Sequence, residues 1–378
     1  MTAASSTPTA PTAPAAPAGA DLDDVRERLW LAVRDGDEYR ASDTVLGAVD
    51  AGLPVVTALL DVIGAVQARV GVEWAANRLT VAQEHAATAI HERVIAALGH
   101  HPRHRGPEPA GGRITVVCVD GEWHALPARL LAEVLRHHGH GVDFLGAHVP
   151  VPHLVGHLHR TGSRAVALSA TFSLHLPTAH TAVTACQAVG VPVLAGGAAF
   201  GPDGRYARTL GADAWAPDAR AAVDVLDRGL ALPDPLRTEA RAVSCLAHLA
   251  DQEYTMVVAT RRQLVKETLA RLEERYPPMR SYTDQQRERT AEDIGHIVDH
   301  LAVALYVNDP EFLPRFLRWT AGVLDARSVP ARSLDPALEL LGRQLQDFPR
   351  ASRTLRQARA ALDHLLPAPH PPGSGRIA

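Results

Sequence analysis

The sequence predicts a multidomain protein, all-α at both ends and α/β in between, with a doubly wound parallel sheet at its centre. Three observations lead there. Apolar residues recur at three- and four-residue spacing from Asp21 to about Leu98. Five short β-rich runs, "RITVVCV", "VDFLGA", "AVALSAT", "VPVLAGG" and "AWAPD", then alternate with amphipathic segments. Beyond residue 236 no convincing strand remains.

The chain has 378 residues, enough for two or three domains at roughly 150 residues each. No stretch approaches the roughly 20 continuous apolar residues of a membrane span, so no membrane partner is expected. A formal charge of -4 gives no electrostatic reason for nucleic acid, and no basic recognition helix stands out, so no direct DNA binding is expected. Cys118, Cys186 and Cys245 form no CxxC pair. That suits a reduced, cytoplasmic setting and argues against disulfides or a zinc site. Residues 1–20, rich in Pro, Ala and Thr, have no basic or apolar segment of a signal peptide and read as a disordered tail, as do residues 368–378.

Taken in order, residues 21–100 read as a four-helix bundle. Acids open the first helix and Asp35-Gly36 stops it. "HHPRHRGPEPAGG" is a linker. Residues 113–230 carry the five strands, with helices expected at 124–138, 152–161 and 178–189 and a last one in "ARAAVDVLDRGL". After a second linker, "ALPDPLRTE", residues 236–367 form a separate helical domain. Its segments are expected at 236–274, long enough to be two helices, and at 284–306, 310–326, 335–347 and 350–365, punctuated by Pro277-Pro278, Pro310, Pro330 and Pro336. No short internal repeat is visible.

Ligands of doubly wound sheets sit at the carboxyl ends of the strands. There the first strand presents Glu122-Trp123-His124, followed by Pro127. After 41 further residues the third strand ends in Ser169-Ala170-Thr171, and after another 24 the fourth ends in Gly196-Gly197. With 20 histidines in the chain no single one marks a site, but this constellation is specific. His124 can ligate a metal through one ring nitrogen while Glu122 holds the other. Ser169 and the glycines leave room for a long group threaded between strands, with a hydroxyl to hydrogen-bond it.

These motifs resemble the cobalamin-binding domain of methionine synthase, of corrinoid methyl carriers and of light-sensing adenosylcobalamin regulators. The resemblance implies a flavodoxin-like cobalamin domain, with His124 as lower axial ligand of cobalt and Glu122, Trp123, Ser169, Thr171, Gly196 and Gly197 around the cofactor. Pro127 departs from the pattern, standing where the family carries Gly. The alternative is a flavodoxin-like domain with a capping histidine. Upstream, Trp74, nine residues, then Glu84-His85 resemble the W-x9-E-H signature of the helical cap in cobalamin photoreceptors. There the Trp covers the upper, adenosyl side, and the Glu and His help hold that group. Taken alone, Trp74 also suits a bundle core. Some relatives have a His directly after this Trp that captures cobalt once the adenosyl group is lost. Here it is Ala75, so capture by that route is not expected.

The C-terminal "DIGHIVDHL" and "DPEFLPRFLRW" resemble photocobilins, in which a cobalamin domain is fused to a globin-like domain that binds biliverdin. Such a ligand needs cations for its propionates, polar partners for pyrrole nitrogens and an aromatic slot. Arg287, Arg289, Asp293, His296, His300 and Trp319 are the suppliers proposed on that resemblance, each of which also suits a solvated helix edge or a buried core. Cys245 is a candidate tether, or simply a buried thiol.

The expected function is a dual-chromophore photoreceptor, signalling through domain contacts or oligomeric state to an unidentified partner, with a homo-oligomer expected. No catalytic triad, phosphate loop or paired-carboxylate site stands out, so an enzyme is not expected. Two alternatives stay open: a corrinoid methyl carrier serving a separate methyltransferase, and a haem-binding globin with His296 or His300 as proximal ligand.

Overall fold

A computed structural model describes residues 21–109, 111–234, 246–275 and 277–363. The two tails and Cys245 lie outside the described residues. Four helices come first: α1 (Leu22–Arg34), α2 (Glu38–Asp50), α3 (Val55–Ala75) and α4 (Val81–Gly99). Asp21 caps α1 by accepting from Asp23 N, and a Thr80–Gln83 capping box opens α4. α3 is continuous through a π-helical stretch, Ala58–Gly64. At 21 residues and a mean hydropathy of 1.6 it is, by length and composition, able to cross a membrane, which the sequence reading does not anticipate. Its charges, however, pair within the fold. Asp61 meets Arg220, and Arg69 lies 2.6 Å from Glu27 of α1.

The middle of the chain alternates β1 (Ile114–Cys118), α5 (Leu126–His137), β2 (Val142–Gly146), α6 (Val151–Thr161), β3 (Ala165–Ser169), α7 (Leu176–Ala188), β4 (Val193–Gly196), α8 (Arg205–Thr209), β5 (Ala214–Ala216) and α9 (Ala219–Arg228). All pairings are parallel and the strand order is β2-β1-β3-β4-β5, the flavodoxin-like order with its switch point between β1 and β3. Side chains alternate strictly between two cores, because successive strand residues point to opposite faces. Ile114, Val116, Cys118, Ala165 and Ala167 pack toward the N-terminal bundle with α5 and α9. Val117, Val166, Leu168 and Ala195 pack toward α6, α7 and the C-terminal helices. Burial on both faces is why these strands read as continuous apolar runs. Burial likewise pushes the thiols of Cys118 in β1 and of Cys186 in α7 up to about 12.

The C-terminal helices are α10 (Glu253–Arg275), α11 (Asp284–Val307), α12 (Phe312–Ala326), α13 (Asp335–Gln344) and α14 (Pro349–Asp363). Of the first expected segment, 236–274, residues 236–245 lie outside the described residues. α10 begins at Glu253, after a 3-10 turn (Ala247–Asp251) and Gln252 at φ +62. The left-handed Gln252 interrupts the chain path, and Asp251 then accepts from Glu253 N at 3.0 Å to start the helix. Buried His104 anchors the first linker, 3.4 Å from Glu133 of α5.

Leu301 of α11 is fully buried in the core shared with the sheet. Leu301→Ala is expected to cost about 2–5 kcal/mol. Chemical denaturation followed by circular dichroism checks this as a lowered midpoint.

Candidate cobalamin site

β1 ends in a turn that Gly121 makes at φ +88. The turn drops Glu122 into the protein, where it is 0% exposed. Its carboxylate accepts four hydrogen bonds. Oε1 takes the His124 amide at 2.9 Å and His124 Nδ1 at 2.6 Å. Oε2 takes the Thr171 and Phe172 amides at 2.7 and 3.0 Å. Burying a carboxylate costs several kcal/mol, whereas each bond to a charged acceptor contributes about 1.5–3 kcal/mol. Burial opposes the charge, but the bonds from His124, Phe172 and Thr171 outweigh it and hold Glu122 at about 2. One carboxylate thereby ties the loop after β1 to the loop after β3.

The same bond fixes the imidazole. Nδ1–H of His124 donates to Glu122, which leaves Nε2 as the free nitrogen donor. Phe172 meets the ring edge-on at 4.5 Å, while Trp123 is exposed and stacks on His148 at 4.7 Å. The Glu122 hydrogen bond raises the His124 pKa above its ordinary 6.5 despite partial burial, and Glu84 of α4 adds to the rise. Glu84 thus acts on His124 from the bundle side of the site.

Beside this loop a cleft of about 140 Å³ opens between the ends of β3, β4 and β5. Pro127, Ser169, Gly196, Gly197 and Pro217 are among its walls. Ser169 pairs in register with Gly196. Gly197 sits at φ +99, and a Cβ there would fall 2.3 Å from the Ala170 carbonyl, so glycine is required. Thr171 is held through its amide by Glu122 and turns to a second, larger cavity. A single nitrogen donor beside a slot between strands fits a metal whose equatorial positions are filled by a macrocycle with a long tail. Cobalamin has that form.

On the bundle, Trp74 lies at the C-terminal end of α3, and Glu84 and His85, 2.8 Å apart, lie near the start of α4. Trp74 is not packed by the bundle alone. Its ring lies 6.4 Å from that of Trp319 of α12, interplanar angle 26°. The Arg327 guanidinium sits 5.3 Å from it and also donates to the Trp74 and Ala75 carbonyls at 3.3 and 3.2 Å.

The larger cavity, about 800 Å³, lies between the sheet domain and the C-terminal helices. His296, His300 and Trp319 line it. His300 stacks on Phe316 at 3.5 Å and donates from Nδ1 to the His296 carbonyl at 2.7 Å. Burial holds His300 at about 4, hence neutral. Arg287, Arg289 and Asp293 are not in its walls. Arg287 is engaged with Glu273 instead, because the first turns of α11 extend beyond the cavity. The cations that do line it are Arg205 and Arg315, beside Tyr206, Phe172, Phe312 and Phe316. Phe312, Arg315, Phe316 and Trp319 recur at helical spacing inside the quoted "DPEFLPRFLRW", a signal open to sequence reading. Arg205 and Tyr206 come from the other domain, and nothing local marks them.

Two models described as "B12 binding domain" match the chain, over residues 25–98 and over residues 112–226. They coincide with the helical bundle and the sheet domain. The HTH-type transcriptional repressor CarH of Myxococcus xanthus is 32% identical over 180 residues, 46% of this chain. The chain spans 58% of that relative's length. Among solved structures, the Methanosarcina barkeri monomethylamine corrinoid protein aligns at 18% identity and TM-score 0.48, covering 54% of this chain and 97% of that one. A cobalamin-binding protein from Desulfitobacterium hafniense DCB-2 aligns at 21% identity and TM-score 0.32, covering 55% and 98%.

A proton and a metal would compete for His124 Nε2, and the raised pKa lets the proton hold on to higher pH. Cobalamin affinity is expected to be full above the His124 pKa and to fall as pH drops through it. Glu122→Gln, which removes the charge that raises this pKa, is expected to move the fall to lower pH and weaken binding overall. Binding titrations between about pH 5 and 8 check both. With its bundle and its sheet domain each matching a B12 binding domain, the chain is a cobalamin-binding protein related to CarH.

Proposed function

We propose that the protein is a light sensor that holds adenosylcobalamin between the bundle and the sheet and biliverdin in the interdomain cavity. The observation that carries the first half is His124, oriented by Glu122 and influenced from the bundle by Glu84, with His85 beside Glu84. Adenosylcobalamin, when bound, supplies a cobalt–carbon bond that visible light breaks. His124 Nε2 would ligate the cobalt, and Glu122, by accepting from Nδ1, makes Nε2 the free nitrogen of the neutral ring and aims it. Trp74 covers the upper side and Glu84 and His85 offer polar contacts to the upper group. Were that group to leave, Trp74 would keep its contacts with Trp319 and Arg327 of the C-terminal domain. A shift of the bundle then alters the contact between domains, and a partner or a second copy reads it.

The second half rests on the cavity. About 800 Å³ lies within the range of pockets that enclose cofactor-sized ligands. Phe172, Phe312, Phe316 and Trp319 supply a flat apolar lining. Arg205 and Arg315 supply two cations for propionates, and His296 and Tyr206 supply polar partners. The C-terminal helices would act as the globin-like bilin module. This reading places the bilin against the sheet domain, with the cations contributed from both sides.

The test is one set of spectra. Purified protein is reconstituted in the dark with adenosylcobalamin and biliverdin, freed of unbound ligand and recorded before and after green light. Two retained bands, with a cobalamin band that shifts on illumination, are expected, and His124→Ala should weaken or change that band. A cobalamin band unmoved by light favours a methyl carrier. Loss of the bilin band alone refutes the second chromophore, and iron in the extracted native pigment means haem.

A further inference from the structure

His91 of α4 is 0% exposed and burial holds it at about 4, so it is neutral. Its Nδ1 lies 2.6 Å from Gln67 Oε1, an atom that only accepts, so Nδ1 carries the proton. Gln67 Nε2 in turn donates to Thr88 Oγ1 at 3.0 Å, and Thr88 Oγ1 donates to Glu84 Oε1 at 3.2 Å. All three bonds point the same way, from the buried imidazole out to the carboxylate. Nothing among the described residues meets His91 Nε2. The seam is otherwise apolar, lined by Val66, Val70, Ala87 and Val94. Gln67 lies two helical turns before Trp74 on α3, and His91 two turns after Glu84 on α4. The chain of bonds thus runs along the α3–α4 seam and ends at the upper side of the cobalamin site.

A seam held only by packing has no need of a buried histidine with one unmet nitrogen, which is a cost. A donor chain of fixed polarity has a definite effect: it presents one hydroxyl proton to one oxygen of Glu84. We propose that Gln67, Thr88 and His91 are positioning residues that fix the Glu84 carboxylate, so that the site prefers cobalamin with a large, hydrogen-bonding upper group. Glu84 Oε1 is occupied by Thr88 and Oε2 faces His85. The lone pairs left on the carboxylate therefore have fixed directions, matched to hydroxyl donors of a sugar. This rests on the reading that Glu84 meets the group above cobalt.

The experiment compares dark affinities of the full chain for adenosylcobalamin and methylcobalamin, whose lower halves are identical. Wild type is expected to prefer the adenosyl form. Thr88→Val, nearly isosteric, should cut that preference about tenfold, the worth of a hydrogen bond to a charged group, and leave methylcobalamin affinity unchanged. Thr88→Ser should restore the preference. Gln67→Met serves as a second interruption should Thr88→Val misfold, and it should act in the same direction. An unchanged preference in a folded Thr88→Val or Gln67→Met variant, or an equal loss for both cobalamins, overturns the positioning role. A wild type that binds both forms equally overturns the upper-side reading of Glu84 as well.

Discussion

A single buried carboxylate sets the geometry on which the cofactor site depends. Glu122 stays ionised inside the protein because four N–H groups converge on its two oxygens. Two of those donors belong to His124 and two to the loop after β3, so one charge fixes a ligand's tautomer and joins two strand ends. The arrangement needs the parallel register of β1 and β3, in which Cys118 pairs with Ser169. Any slip between those strands would separate the carboxylate from the amides that satisfy it. An unsatisfied charge in that position would be protonated or expelled, and the imidazole would lose its orientation.

Around that point the molecule is built in layers, and the sheet belongs to both cores. One face packs on the bundle and the other on the C-terminal helices. The C-terminal domain is therefore no appendage. It supplies Trp319 and Arg327, which hold Trp74 from the outside, and it completes the large cavity with α11 and α12. Trp319 takes part in both, so whatever fills the cavity and whatever lies under Trp74 share one neighbouring ring.

The two cavities differ in chemistry. The cleft between β3, β4 and β5 is narrow and lined by small residues, suited to a thin tail. The interdomain cavity is wide and aromatic, with Arg205 and Arg315 in its walls. Those arginines share Asp309: Arg315 at 2.7 Å and Arg205 at 3.7 Å, with Tyr206 bonded to the same oxygen at 2.5 Å. A ligand with acidic groups would compete with Asp309 for cations already close together.

Much of this was legible in the sequence, for identifiable reasons. The alternation of β-rich runs with amphipathic segments exposed the sheet, since strands buried on both faces must be apolar throughout. His124, its carboxylate and the Gly196-Gly197 pair could be read because strand ends of a parallel sheet gather at one edge whatever the loops do. Trp74, Glu84 and His85 could be read because their spacing spans one helix end and the next helix start. Arg287 and Arg289 seemed suited to anionic groups by type and spacing, yet the direction of α11 takes them away from the cavity. Arg205, Tyr206 and Phe172 had no local mark, because they reach the cavity only when the two domains dock. The sequence by itself determined the strands, most of the helices and the candidate histidine at the sheet edge, all consequences of local periodicity and of spacing along the chain. Only the tertiary structure decided which charges meet which cavity and that Trp74 rests on Trp319, because contacts between domains depend on packing angles that no short stretch encodes.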